Sequence, residues 1–418
     1  MSVYRLLEQV AQALRPGEAV YEVLDHVLAE INKQLSLREI SAQASAGGSV
    51  AKGTFLRTSH DVDVFVRFEA AYADDSLADL LASCVKGFSA RRVHGSRDYF
   101  IFDFRGFSFE VVPVLRISSA SEARNVTDAS PLHVEYFRKR GEGLEDEVRL
   151  TKQFAKAAGV YGAESFIRGF SGHVIDLLVI RYGSFFELVR AACQWEAPVV
   201  IDLESHHTNP LLAIDQAKHA PLLVVDPIQP SRNAAAALSQ EQFSAFVHAA
   251  QSFVEDPSAR FFRVEQFSMR SLIQELSEVD GYPLLFELSF DADEKRDVAG
   301  ARVRKFFERL VDEFVRAGFV VKRSDWHFSD QPPAVAYVVL EERELEEFFE
   351  RSGPPVSESA HADRFRKEHG DSVEQRGDWL FARVKRSVRT PEDLLEEVGS
   401  SLAKQTQVGF SLVDIPGK

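Results

Sequence analysis

Two aspartates stand two residues apart in the stretch Gly48 to Phe68, GSVAKGTFLRTSHDVDVFVRF, where Asp61 and Asp63 open a run of apolar residues. On a β-strand, side chains at i and i+2 project from the same face. Both carboxylates therefore point at one spot, while Val62, Val64 and Val66 face a core and Phe65 breaks the strict alternation. Carboxylates side by side repel, and burial strengthens the repulsion. A divalent cation removes that conflict. Mg²⁺ suits such a site because it takes oxygen ligands, keeps several waters and shares its shell with substrate phosphates. Just ahead of the pair, Gly47, Gly48 and Ser49 form a small-residue turn whose amides can approach an anion, and Lys52 adds a cation. A D-x-D pair alone also describes an ordinary solvated strand end, so the turn and the lysine carry the phosphate-and-metal reading.

A third carboxylate, Glu110, lies inside FSFEVVPVL (107–115), in one row with Ser108 and Val112. RDYFIFDF (97–104), the turn Arg105-Gly106 and this segment predict a β-hairpin. An acid within so apolar an arm needs a partner. That partner is either a nearby arginine or a metal shared with the aspartate strand. Further on, LEDEVRLTKQFAKAAGV predicts a helix striped by Val148, Thr151, Phe154, Ala155 and Ala158 and ended by Gly159. Lys152 falls at the rim of the stripe, where it either snorkels into water or reaches a phosphate.

The elements that must position these groups follow from the hydrophobic period. Helices are expected at 4–14 and 17–35, a strand at 39–45, the carboxylate strand at 61–68 and a helix near 76–87. Two helical stretches should flank the break at Arg168 to Gly172, and residues 224–239 read as a strand, a Pro-rich turn and a helix from Asn233. Asp256-Pro257 reads as a boundary, which gives domains at 1–139, 140–256 and 257–418. In the last of these, segments at 283–290, 298–317, 318–329 and 333–342 suggest β-α-β-β, a ferredoxin-like or RNA-recognition-like layer. ELEEFFERSGPPV reads as the end of a helix, and Thr390-Pro391-Glu392 as the cap of the final one. The fold class is α/β and α+β, in several domains.

Composition bounds the function. A chain of 418 residues with 45% hydrophobic and 27% charged residues suits a globular protein of roughly two to four domains. No apolar run is long enough to span a bilayer, the first helix lacks a signal-peptide core, and two cysteines exclude a disulfide framework. A cytoplasmic protein with no membrane partner is expected. The net charge of −15 argues against generic nucleic-acid binding, but residues 300–324 carry seven basic side chains against three acids. Bases also alternate with Trp379 and Phe381 near the C-terminus, a pattern suited to RNA backbone and base stacking as well as to an ordinary core.

The block from Gly48 to Phe68 resembles the opening signature of the archaeal, class I CCA-adding tRNA nucleotidyltransferases, within the DNA polymerase β-type superfamily. The resemblance extends in order through F-E-V-V-P at 109–113, S-P-x-H at Ser130 to His133, E-V-R-L-x-K at 147–152 and G-V-Y-G-A-E at 159–164. It continues through R-G-F-S-G at 168–172, Y-G-S-F at 182–185, V-V-D-P at 224–227 and Arg232-Asn233. It implies a polymerase β-like head, a helical neck and a C-terminal body with a tail. It implies two Mg²⁺ ions on Asp61, Asp63 and Glu110, the last standing where the family usually has aspartate. It implies ATP and CTP contacts from Gly48, Ser49, Lys52, Ser130, His133, Lys152, Tyr161 and Arg232. Arg97 stands where the family often has a phosphate-binding histidine. The implied reaction is stepwise addition of C, C and A to the tRNA acceptor end, and a homodimer is an open assembly. Two other readings remain at this level: a related polymerase with another acceptor (polyadenylating or oligoadenylate-making), and a tRNA-binding protein without activity.

Overall fold

The alternating run DVDVFVRF folds as an interior strand, second from one edge, of a five-stranded sheet. In the computed structural model, which describes residues 2–329 and 331–417, the chain opens with α1 (Val3–Leu14) and α2 (Ala19–Leu37). The sheet follows as β1 (Ala42–Ala46), β2 (Asp61–Phe68), β3 (Arg91–Val93), β4 (Tyr99–Phe104) and β5 (Phe107–Leu115), with spatial order β1-β2-β5-β4-β3. Strands β2 and β5 run parallel; the other pairs are antiparallel. A one-turn helix, α3 (Gly48–Ala51), links β1 to the loop before β2, and α4 (Leu77–Val85) leads to β3. Val62, Val64 and Val66 are fully buried in a core shared with α2 and α4, as the alternation requires. Phe65 does not break the pattern. It faces the opposite side of the sheet and fills a second, smaller cluster with Ala51, Val112, Val114 and Val134.

After the sheet come α5 (Ser130–Arg140), α6 (Glu145–Ala157), α7 (Gly172–Tyr182) and α8 (Phe185–Ala192). A short parallel pair, β6 (Val199–Ile201) and β7 (Leu222–Val224), brackets the single turn α9 (Pro210–Ala213), and α10 (Gln240–Glu255) closes the helical layer. Two readings are corrected here. No helix lies between α6 and Gly172; instead residues 161–170 form a loop tied by a bridge between Tyr161 and Phe170. No helix starts at Asn233 either, because its amide is spent on Val224, Ala235 and the Leu222 carbonyl, and the helix waits for the Ser239 cap. Helix α1 packs Leu6, Leu7, Ala11 and Leu14 into the same core as Phe154 and Phe185, so the N-terminal twelve-residue helix belongs with the helical layer rather than the sheet. Phe262 joins that core too, and the first compact unit runs past Asp256-Pro257 to Glu265.

The second unit begins at Gln266. It contains α11 (Met269–Glu278), β8 (Tyr282–Ser289), α12 (Arg296–Ala317), β9 (Val321–His327) and β10 (Ala334–Leu340). Then come β11 (Phe348–Pro355), α13 (Ser359–His369), β12 (Val373–Arg376), β13 (Trp379–Lys385), α14 (Pro391–Thr406) and β14 (Gly409–Val413). Strands β14-β8-β10-β9 form an antiparallel sheet in that order, with β11-β13-β12 as a separate one. ELEEFFERSGPPV is thus a strand, not a helix end: β11 pairs along β13, and that pairing overrides the helical propensity of its glutamates. Helix α14 is capped at Thr390 with Pro391 in its first turn, and Asp393, rather than Glu392, completes the capping box. The basic stretch 300–324 is largely neutralised, since Arg302, Arg304, Arg316, Lys322 and Arg323 each pair with an acid. Most of these pairs are exposed, where an ion pair is worth little and exchanges readily for another anion. Among the described residues no helix is long and apolar enough to cross a membrane.

Candidate active site

The three carboxylates meet because of strand register. In the parallel pairing of β2 with β5, Asp63 stands beside Glu110 and Asp61 beside Ser108. Partners in register project from the same face, so Asp61, Asp63 and Glu110 form one oxygen-rich corner. They share their face with Phe65, Val112 and Val114, which are buried, and the acids occupy the end of that face where apolar cover stops. Asp61 is exposed, whereas Asp63 and Glu110 are partly covered. Burial pushes the Asp63 carboxyl above the ordinary aspartate range. Lys52 pulls it back, the neighbouring Asp61 pushes it up again, and Lys152 and the Ser49 peptide N–H favour its ionised form. A partly buried acid pair that resists carrying two charges, with donors that are all carboxylate oxygens, fits a hard divalent cation.

The small-residue turn is the start of α3, with Gly47 as its N-cap. Gly48 has φ +46°, and a Cβ there would lie 1.7 Å from Asp63 Oδ2. The backbone lies directly against the carboxylate, which only glycine permits.

Several expected nucleotide contacts line one cleft of about 620 Å³: Gly48, Lys52, Ser130, His133 and Arg232, together with Asp63 and Glu110. Ser49, Asp61, Lys152 and Tyr161 are not on its wall. Lys52 is engaged rather than free, its Nζ lying 2.7 Å from Oδ2 of Asp176 on α7, a nearly fully buried pair. Lys152 is not at the rim of α6. It is buried and donates to the Thr54 carbonyl and to Thr54 Oγ1 at 2.9 Å. Tyr161 lies beside it, under the Lys156 ammonium and against Gly172, and burial raises its hydroxyl well above the ordinary tyrosine value. Arg97 faces away from this corner: buried in the sheet domain, it pairs with Asp74 and Asp128 and donates to the Pro113 carbonyl.

Burial lowers Lys152 from the ordinary lysine value of 10.5 to about 8, against the pull of Asp176. The unfolded chain holds that proton to about pH 10.5, the folded chain only to about 8. The buried charge therefore destabilises the fold below pH 8, and the penalty fades as pH rises towards 10.5. Any role for Lys152 in holding an anion runs the other way, because the anion needs the proton. The Michaelis constant for ATP is expected to rise between about pH 7.5 and 9.5, with the slope lost in Lys152→Met. A flat profile in the native protein would remove Lys152 from substrate binding.

Behind other residues of the same cleft, Asp226 gathers a second group of side chains, of which His133, His173 and Arg232 line the cleft. It is fully buried and lies 3.0 Å from His133 Nε2, 3.4 Å from His173 Nε2 and 3.0 Å from an Arg232 nitrogen. The Ile228 and Gln229 N–H groups donate to its Oδ1. Despite the cost of burial, the two histidines hold its carboxyl far below the usual range. Sequence reasoning named His133 and Arg232 but not Asp226, His173 or Asp176. The signals for the two acids were their places within apolar runs, Asp226 in V-V-D-P and Asp176 in the otherwise apolar stretch V-I-D-L-L of α7; His173 carried none.

The sequence matches three family models in order: "Nucleotidyltransferase domain" over residues 27–101, "tRNA nucleotidyltransferase, second domain" over 146–263 and "CCA-adding enzyme, C-terminal domain" over 284–412. It is 31% identical to the CCA-adding enzyme of Methanothermobacter thermautotrophicus, across 84% of this chain and 78% of that protein. It is 30% identical to the CCA-adding enzyme of Methanosarcina acetivorans, across 97% of this chain and 92% of that one. Among solved structures, the Cid1 poly(U) polymerase with Mg and 3′-dATP bound aligns with TM-score 0.51 at 13% identity, covering 62% of this chain and 98% of its own. At that identity the likeness concerns the fold, a mixed α/β nucleotidyltransferase fold.

Proposed function

The chain belongs to the CCA-adding enzyme family, and from that premise we propose that it extends tRNA 3′ ends by C, C and A, using CTP and ATP and releasing pyrophosphate. The observation that carries this reading to particular residues is the register that sets Asp63 beside Glu110 at the wall of the cleft, with Asp61 on the same face of the sheet. In the proposed division of labour, residues up to 139 form the catalytic head and 140–265 the neck, with α1 packed into the neck core. The second unit, from Gln266, forms a body and tail that grip the tRNA. The β-α-β-β-α-β order of β8, α12, β9, β10, α14 and β14, with sheet order β14-β8-β10-β9, supports a ferredoxin-like body. In the tail sheet, Arg383 lies over Phe348 and Arg376 over Phe381, cationic and aromatic surface suited to an RNA backbone.

Asp61, Asp63 and Glu110 are the residues that would hold Mg²⁺. Bound there, the metal neutralises charge on the transferring phosphate and lowers the pKa of the primer 3′-hydroxyl. The chain's own groups do the rest. The Gly48 backbone lies directly against Asp63, and the Ser49 N–H favours its ionised form. His133 and Lys52 face the cleft, where they meet the anionic triphosphate; Lys52 exchanges Asp176 for a phosphate oxygen or shares it. Arg232, oriented by Asp226, is placed to read the incoming base. The 3′-oxygen attacks the α-phosphorus, the bond to the bridging oxygen breaks, pyrophosphate leaves and the hydroxyl proton passes to solvent. Positioning and electrostatics supply the rate, with no dedicated side-chain base.

The decisive experiment is incorporation of labelled CTP and ATP, separately and together, into tRNA lacking its CCA end. Two C additions followed by one A are expected. Products that run on past three nucleotides would favour a polymerase with another acceptor. Glu110 is one methylene longer than the family's usual aspartate. Glu110→Gln, which removes the charge but keeps the shape, is expected to lower incorporation about 100-fold. Glu110→Asp is expected to retain activity with an altered Mn²⁺/Mg²⁺ ratio. If Glu110→Gln retains full activity, the third ligand is not Glu110.

A further inference from the structure

We infer that His133, His173 and Asp226 form a transition-metal site, of the Zn²⁺ class, separate from the carboxylate corner, with both histidines lining the same cleft. The three residues come from different parts of the fold: His133 from α5, His173 from the first turn of α7, and Asp226 from the loop after β7. Their ligand atoms all lie within 4.8 Å of one another. His133 Nε2 is 3.0 and 3.1 Å from the two Asp226 oxygens, and His173 Nε2 is 3.4 Å from Oδ2. Tetrahedral zinc with bonds of about 2.0–2.1 Å requires ligand atoms roughly 3.3–3.5 Å apart. The two edges to Asp226 are thus within a few tenths of an ångström of the required length, and the edge between the two histidines is at most 4.8 Å, which a small ring rotation closes.

The observation that points to a ligand is His173. Its Nε2 is buried and, among the described residues, has only Asp226 Oδ2 at 3.4 Å, too long and poorly aligned for a good hydrogen bond. Buried ring nitrogens are almost always paired, and a cation shared with His133 would pair this one. The site is also braced as metal sites are. Ile228 and Gln229 N–H groups fix Asp226 Oδ1, while Oδ2 accepts from Arg232 and becomes the ligand oxygen when that side chain turns away. Mg²⁺ is a poor occupant of a two-histidine set, whereas imidazole with one carboxylate suits zinc and its neighbours in the first transition row. Two cations lie nearby. Lys52 is already paired with Asp176, and the half-exposed Arg232 side chain can turn from Asp226 into solvent.

The consequence is competition. His133 and Arg232 line the cleft, so a metal held on His133 and Asp226 occupies groups that a nucleotide would use. This consequence rests on the proposed role of those residues in nucleotide binding; the metal site itself does not. The test uses the EDTA-treated full chain with no nucleotide present. Zn²⁺ is titrated calorimetrically and Co²⁺ by its visible absorption. One ion per chain is expected, with the intense spectrum of a four-coordinate site and a dissociation constant below about 10 µM. His173→Ala should weaken binding about 10–100-fold. His173→Gln, which restores bulk and a donor, should remain equally weak, which separates ligation from folding. Asp61→Ala, which disables the carboxylate corner, should leave the zinc stoichiometry unchanged. Absence of a site, or a site insensitive to His173→Ala, or one lost in Asp61→Ala, overturns the inference. With free Zn²⁺ held by a metal buffer, the Michaelis constant for ATP should rise in the native enzyme and not in His173→Ala; an unchanged constant overturns the competition. Zinc binding in a chain that fails to incorporate nucleotide would sink the proposed function and leave the site standing.

Discussion

Asp61→Ala and Asp63→Ala should each lower Mg²⁺-dependent nucleotide incorporation by at least about 10³-fold, the loss expected when several kcal/mol of charge stabilisation disappears. The two substitutions differ in what else they do. Asp61 is exposed at the strand end, so its removal should leave the melting temperature within about 2 °C of the native value. Asp63 is held above its ordinary pKa by burial, a charge the fold bears at a cost. Its removal should therefore leave stability unchanged or raise it slightly, while still abolishing turnover. The measurement pairs initial rates on tRNA lacking CCA with thermal melts of the same preparations. Near-normal incorporation by Asp63→Ala would remove the carboxylate corner from the mechanism.

Gly48→Ala should be as damaging, for a reason that involves no charge. A methyl group there would meet Asp63 Oδ2 at 1.7 Å, so the carboxylate or the whole of α3 must move. The left-handed backbone adds about 1–2 kcal/mol of strain for a residue with a Cβ. Displacement of a catalytic group by about 1 Å costs on the order of 100-fold, and incorporation should fall by at least that much. Gly106 supplies the control. It has φ +87° at the tip between β4 and β5, but nothing lies within 4 Å of its added Cβ. Gly106→Ala should carry the strain alone, lowering stability by about 1 kcal/mol and leaving incorporation near native. Equal losses of activity in the two variants would mean that backbone strain, not the contact with Asp63, explains the effect.

The sequence by itself determined the carboxylate strand and its neighbours. A period of two over Asp61 to Phe68 names both the buried face and the acid face, and the structure keeps the strand over those residues. The hairpin through Arg105-Gly106 and the glycine end of α6 were equally legible, because a local period and a local turn suffice to specify them. The order of motifs also identified the family.

Only the tertiary structure decided which strand lies beside which, and in what register. No local pattern says that β5 pairs parallel to β2 with Glu110 opposite Asp63, since that contact depends on where a distant segment returns. The same holds for ion pairs between remote elements. Lys52 and Lys152 read as cations open to a ligand, but one is taken by Asp176 and the other is sealed against Thr54. Tertiary pairing also turned ELEEFFER from an apparent helix into β11, and packing drew α1 away from the sheet into the helical core. Periodicity reports the face that a segment hides. It does not report what hides it, and the chemistry at this site depends on that second fact.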